Sequence, residues 1–360
     1  MSCRIAALAS GVPGRCAERK PTPRGGLKDS LHSAKVCRLV TYVLHHLVAH
    51  RNVEVVIGVG KAVGVDESIV TRAESRSLRS TRLRGAQLHP RGQPLAKLVY
   101  IGGYGHSGST LLEYLMTGCP EVIACGEVVN ARLEQASART CSCDRPTEDC
   151  PVWGFISNPG LHVNRWDHEA LDARLLQQAS VNYEVMVDSS KTAWRASATP
   201  FKLRRGPGRG FLLVHIVRDP RAVCWSLLKR ERRLGRQSND TLLCAETTLG
   251  WCFANLACEL FRWRYPVQYC RIRYEDLVRD PRAVMSALML KVLPGHQWQF
   301  ETIGAHDNRH QLYANRMRSQ TLSLVGIKED DAWRTNMPGK YRRLAAALSW
   351  PLRARYGYVA

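Results

Sequence analysis

Residues Tyr100 to Glu113 read YIGGYGHSGSTLLE, and the fold is decided there. The apolar run Lys97 to Gly102 (KLVYIG) reads as a buried strand that enters a turn holding Gly103, Gly105 and Gly108. The segment Ser109 to Thr117 then reads as a helix. Strand, glycine-rich turn and helix in succession converge backbone N–H groups and the positive helix end on one point, with the Ser109 and Thr110 hydroxyls beside them. That is the local chemistry of a phosphate cradle. Set against the G-x4-G-K-[ST] loop that holds nucleoside triphosphates, Gly103 and Gly108 keep their places, but Ser109 stands in the lysine slot. With that lysine gone and no strand reading as carboxylate-ended for magnesium, the expected phosphate donor is not ATP.

Working outward, short apolar runs alternate with amphipathic ones. Tyr183 to Val187 and Phe211 to Val217 read as strands, and Val267 to Tyr274 as a further strand. The clearest helical stretches are Asp167 to Ser180, Pro220 to Leu234 and Thr241 to Arg264, with others at Pro281 to Val292 and Lys340 to Tyr356. This alternation predicts an α/β fold: a P-loop-like three-layer domain with a mostly parallel central sheet flanked by helices. The hexapeptide RDPRAV occurs at Arg218 to Val223 and again at Arg279 to Val284. In both copies the Asp suits an N-cap and the Pro a first helical position. Only the first copy ends a long apolar strand, so the second ligand contact is expected there. Arg218 supplies a bidentate fork and Ser226, eight residues on, a directed hydroxyl, a pair suited to a terminal phosphomonoester.

At these two segments the chain resembles the sulfotransferases that use 3'-phosphoadenosine 5'-phosphosulfate (PAPS), most closely the bacterial branch related to carbohydrate sulfotransferases. Ser107 to Thr110 matches the family's S-G-[ST]-T loop, and Arg218 with Ser226 its 3'-phosphate pair. Further matches follow in family order: Gly126-Glu127, the loop Cys141 to Trp153, Asp188 to Lys191, Tyr274 to Leu277, His310 to Arg318, and Trp333 before Tyr356 to Tyr358. The resemblance runs from about Lys97 to the end of the chain. It implies sulfuryl transfer by in-line displacement, with adenosine 3',5'-bisphosphate as product. It implies donor binding by Gly105, Ser107, Gly108, Ser109, Thr110, Arg218 and Ser226, with Arg316 and Arg318 completing the 3'-phosphate grip. Glu127 is the implied base, Lys191 an added positive charge, and no metal is implied. The sequence departs from the family at His106, where Lys or Arg is usual, and at Ala314, where Gly is usual. With an ordinary pKa of about 6.5, His106 is expected to be only partly charged at neutral pH.

The 360 residues are 45% apolar and 23% charged, which excludes a wholly disordered or fibrous chain. The net charge of +21 calls for anionic company. Residues 1–94 hold 16 Lys and Arg against 6 Asp and Glu, and read as a basic N-terminal extension of poor order before a sulfotransferase-like domain at 95–360. No apolar stretch reaches about 18 residues and no secretory signal is legible, so neither a membrane span nor export is expected, and the reading is cytoplasmic. The 13 cysteines, an odd number, read as reduced thiols. Cys141, Cys143 and Cys150 lack a paired spacing and an evident fourth ligand, for which His162 is the candidate, and ordinary packing is expected of them. Among Trp153, Trp166, Trp194, Trp225 and Trp251, most are expected in the core and some against an acceptor or adenine. The acceptor reads only as a small molecule, carbohydrate or lipid, and the oligomeric state is not legible. Two other readings stay open: a P-loop kinase-like nucleotide enzyme, and a non-enzymatic nucleic-acid-binding protein, for which no specific binding motif is present.

Overall fold

The computed structural model describes residues 96–130, 140–157, 168–206, 210–236, 239–296, 298, 308–312 and 326–358. The basic extension at 1–94, His162, Trp166, Ala314, Arg316 and Arg318 lie outside the described residues.

Five strands form one sheet: β1 (Lys97–Gly102), β2 (Val122–Ala124), β3 (Val185–Asp188), β4 (Phe211–Val217) and β5 (Tyr269–Arg273). Their order is β2-β3-β1-β4-β5, and every pairing is parallel. The helices are α1 (Ser109–Met116), α2 (His168–Ala179), α3 (Thr199–Leu203), α4 (Pro220–Arg233), α5 (Asp240–Arg264), α6 (Tyr274–Arg279), α7 (Pro281–Val292), α8 (Trp333–Asn336), α9 (Gly339–Leu348) and α10 (Trp350–Arg355).

The three central strands, β3, β1 and β4, are largely apolar and buried because both faces are covered. With a side-chain period of two, Val99 and Ile101 of β1 face one core and Leu98 and Tyr100 the other. The first core joins Val99, Ile101, Val187, Val214 and Ile216 to Leu112, Leu115 and Met116 of α1 and to Met285 and Leu288 of α7. The second joins Leu98, Tyr100, Met186 and Leu213 to Leu171 and Leu175 of α2 and to Cys258 and Phe261 of α5. Helix, sheet, helix is the three-layer arrangement the alternation predicts. Each buried aliphatic side chain contributes about 1.5–3 kcal/mol, so the central strands carry much of the stability.

The structure departs from the sequence reading at two elements. The predicted helix at Lys340 to Tyr356 is two helices, broken at Ser349. Pro351 sits in the first turn of α10, where its missing N–H is harmless; inside a continuous helix it would clash with the preceding turn. The strand predicted at Tyr183 to Val187 runs instead from Val185 to Asp188, and so does end in a carboxylate. Among the described residues, no helix is long and apolar enough to cross a membrane.

Candidate functional site

The segments that leave the carboxyl ends of all five strands line a cleft of about 1140 Å³. From β1 come Tyr104, Gly105, His106, Gly108, Ser109 and Thr110. The turn is held by close approach: Gly103 has φ 121°, and a Cβ there would stand 2.3 Å from the Ile216 carbonyl oxygen. Gly108, at φ 93°, would place a Cβ 2.5 Å from the Tyr274 ring. Gly108 is the N-cap of α1, so the first N–H groups of that helix, which have no partner within the helix, belong to residues of the cleft lining. Ser107 differs from its neighbours. It is fully buried, does not line the cleft, and its hydroxyl has no hydrogen-bond partner among the described residues.

From β4 comes Arg218. Its Nη1 donates to the His106 carbonyl oxygen at 3.2 Å, so two motifs 112 residues apart meet at one point. Its guanidinium also lies 4.3 Å from the Tyr274 ring centroid, and Nη2 donates to the Asp330 carbonyl oxygen at 2.9 Å. The Asp330 carboxylate stands 3.3 Å from Arg218 Nη2 and 3.5 Å from Lys229 Nζ. An anion already sits between two cations there. Ser226 Oγ lies 3.0 Å from His106 Nδ1.

The structure corrects the expected partial charge on His106. Burial, then the cations Arg230, Lys191 and Arg218, lower its pKa to about 4, so the ring is neutral at neutral pH in the free protein.

Glu127 and Lys191, also in the lining, face each other as an ion pair, and Asn130 Nδ2 donates to the second Glu127 oxygen at 2.6 Å. Two buried carboxyl groups hold this pair from behind. Glu113 of α1 accepts from Gly126 N at 2.7 Å and from Ser189 Oγ at 2.8 Å; full burial raises its pKa to about 7, against the lowering effect of these hydrogen bonds. Asp188 accepts from Ser190 N at 2.8 Å, and Ser190 Oγ in turn accepts from Val129 N at 2.9 Å. His168 Nε2 bridges Asp188 at 2.9 Å and Asp172 at 3.1 Å. Burial would lower the pKa of His168, but the two carboxylates raise it to about 10, so it is a cation. The carboxylate at the end of β3 is thus engaged inside the protein and does not line the cleft.

Three non-glycine residues of the lining, His106, Lys191 and Trp194, hold φ between 51° and 68°. Left-handed backbone of this kind costs about 1 kcal/mol or more per residue and clusters at working sites. The lining carries Lys191, Arg218, Arg230, Arg233 and Lys328 against Glu127 and Asp330, which favours an anionic occupant. Of the tryptophans, Trp194 alone among the described ones lines the cleft, stacked 6.5 Å from Phe253. Trp153, Trp225 and Trp251 are core residues, and Trp251 Nε1 donates to the Arg218 carbonyl oxygen at 3.0 Å.

The structure therefore brings together Gly105, His106, Gly108, Ser109, Thr110, Glu127, Lys191, Arg218 and Ser226. It leaves Ser107 beneath them. Sequence reasoning missed Glu113, His168, Asp330, Arg230 and Arg233. A readable signal existed for His168: His and Asp four residues apart in HEALD share a helix face.

A model of the sulfotransferase family matches residues 99–292. Solved structures similar to this chain include a sulfotransferase domain from the curacin biosynthetic pathway, 20% identical over 71% of this chain and 99% of its own, with a TM-score of 0.40. A sulfotransferase from Alicyclobacillus acidocaldarius is 13% identical over 71% of this chain and 92% of its own, at 0.44. A mouse sulfotransferase complexed with PAP is 12% identical over 73% and 85%, at 0.43. No curated protein matches the chain. The likeness to the solved structures is loose, and the family match carries the assignment.

Proposed function

The chain belongs to the sulfotransferase family, and from that premise we propose that it moves a sulfuryl group from PAPS to a hydroxyl or amine of a small-molecule, carbohydrate or lipid acceptor. The observation that carries this reading is the contact of Arg218 with the His106 carbonyl, which joins the phosphate turn of β1 to the Arg-and-Ser pair of β4 in one cationic cleft. Two anion-binding features, one from each motif, suit a donor with phosphate at both the 3' and 5' positions; ATP carries none at 3'.

The residues divide the work. The N–H groups at the start of α1, with the Thr110 hydroxyl, bind the 5' end and stabilise charge on the leaving phosphate through fixed dipoles. Arg218 forks onto the 3'-phosphate with Ser226 beside it, displacing the Asp330 carboxylate. Arg316 and Arg318 are assigned to the same phosphate by resemblance alone. His106, neutral in the free protein, serves as a hydrogen-bond donor and gains charge only as phosphate raises its pKa. Glu127 takes the proton of the acceptor as its oxygen or nitrogen attacks sulfur and the bond from sulfur to the leaving phosphate oxygen breaks. Lys191, released from Glu127 as that carboxylate is neutralised, offers its charge to the transferring group. Trp194 and Leu312 give the cleft an apolar wall for the carbon skeleton of an acceptor.

Calorimetric titration of the full chain with adenosine 3',5'-bisphosphate, beside ADP with magnesium, tests the donor. Tight binding of the bisphosphate, weak binding of ADP and loss in Arg218→Ala are expected. Preference for ADP with magnesium, or no binding of either to the folded protein, overturns the reading.

A further inference from the structure

Away from the cleft, the loop that carries Cys141, Cys143 and Cys150 closes on His310, which is 160 residues beyond Cys150 in sequence. Their ligand atoms all lie within 4.8 Å of one another. The Sγ atoms of Cys141 and Cys150 are 3.6 Å apart, and those of Cys143 and Cys150 are 3.9 Å apart. His310 Nδ1 lies 3.3 Å from Cys150 Sγ and 3.9 Å from Cys141 Sγ. A tetrahedral zinc ion with bonds of about 2.3 Å to sulfur and about 2.05 Å to nitrogen requires edges of about 3.8 Å between sulfurs and about 3.6 Å between sulfur and nitrogen. The four separations above lie within about 0.3 Å of those edges, and the remaining two are within 4.8 Å. All three cysteines are free thiols, and the spacing between their sulfurs is well beyond the roughly 2.05 Å of a disulfide.

The backbone builds this arrangement without help from the side chains concerned. Cys141 N donates to the Arg145 carbonyl at 2.9 Å, and Asp144, with φ 61°, closes a tight turn that places Cys141 and Cys143 on one side. Ser142 ties the turn to the second segment, donating from Oγ to the Arg309 carbonyl and accepting from Gln311 N, both at 2.8 Å. That segment is fastened to the end of β2: Ala124 N donates to Asn308 O at 3.0 Å, and His310 N to Ala124 O at 2.8 Å. Trp153 Nε1 donates to the His310 carbonyl at 2.5 Å. Two chain segments with little regular structure therefore meet at four ligands.

We propose that Cys141, Cys143, Cys150 and His310 bind one zinc ion as a closed Cys3His structural site. Three thiolates select zinc over the hard cations magnesium and calcium, and four protein ligands leave no open position for catalysis. The ion fastens the cysteine loop and the 308–312 segment to β2, three residues before Glu127, and holds Leu312 in the wall of the cleft. This departs from the expectation that these cysteines are packing thiols and that no metal is present. His310 is the fourth ligand; His162, the candidate in sequence, lies outside the described residues.

The test is the metal content of the full chain, purified under reducing conditions after growth with zinc. About one zinc per chain is expected, with X-ray absorption showing three sulfurs and one nitrogen. Cys143→Ser and His310→Ala each lower zinc affinity at least about tenfold in competition with a chromogenic chelator, whereas Cys270→Ser leaves it unchanged. If a variant fails to fold, the wild-type stoichiometry and absorption spectrum still decide. A folded wild-type chain that holds no zinc after reconstitution overturns the proposal, as does one that yields a Cys141–Cys150 disulfide when its thiols are blocked at lysis.

Discussion

The hexapeptide RDPRAV begins two helices, and the two copies share almost nothing beyond their caps. In both, the Asp side chain accepts from a backbone N–H of the first turn: Asp219 from Arg221 at 2.8 Å, Asp280 from Ala283 at 2.9 Å. In the first copy every residue is buried, and Arg221 forks onto Asp219 at 2.7 Å while lying 4.6 Å from the Trp333 ring. In the second, Arg282 and Ala283 are exposed. The side chain of Arg218 is 7% exposed and joins the phosphate turn, whereas that of Arg279 is 71% exposed and faces Asp276 at 3.5 Å. Local sequence writes the helix start; the preceding element decides what the start is for. Arg218 follows a strand in the middle of the sheet, and Arg279 ends a short helix at its edge.

The largest expected difference between the copies is in stability. Asp219→Ala leaves Arg221 buried without its partner and costs about 3–5 kcal/mol, whereas Asp280→Ala removes only an exposed cap, at about 1 kcal/mol. Urea unfolding of the two variants reads this directly, and equal losses break the comparison. Next is nucleotide affinity. Arg218→Ala weakens adenosine 3',5'-bisphosphate about 100-fold, in line with two charge-assisted hydrogen bonds, and Arg279→Ala changes it less than about twofold. A comparable loss at Arg279 would erase the distinction between the two copies as phosphate ligands.

Asp330→Asn sharpens the contrast from the other side. Removing the carboxylate that competes for Arg218 and Lys229 raises bisphosphate affinity about three- to tenfold, and calorimetry showing weaker binding would make Asp330 a supporting group. The smallest effect concerns His106, to which the first copy is tied. Its folded pKa of about 4 lies below its ordinary value, so the ring is neutral above about pH 5 in the free protein. His106→Lys is therefore expected to bind the bisphosphate about threefold tighter at pH 8. That advantage shrinks toward pH 6 as bound phosphate helps charge the wild-type ring. A ratio that stays constant from pH 6 to 8 removes His106 from the phosphate site.

Much of the donor side is legible in sequence because it is local. Strand, glycine turn and helix are adjacent at Lys97 to Met116, and Ser226 lies two helical turns beyond Arg218. The other half is not. Glu113 looks like a misplaced charge on an apolar helix until Gly126 and Ser189, from two other segments, are seen to donate to it. Nothing in the spacing of Cys141, Cys143 and Cys150 names His310.

The sequence by itself determined the alternation of strands and helices, the caps and the phosphate turn, because hydrophobic period and backbone geometry act within a few residues. Only the tertiary structure decided the charge of His106, the burial of Ser107, the carboxylate between Arg218 and Lys229, and the fourth partner of the cysteines. Desolvation and Coulomb interactions depend on distance in space, and residues up to 169 apart in the chain supply them here.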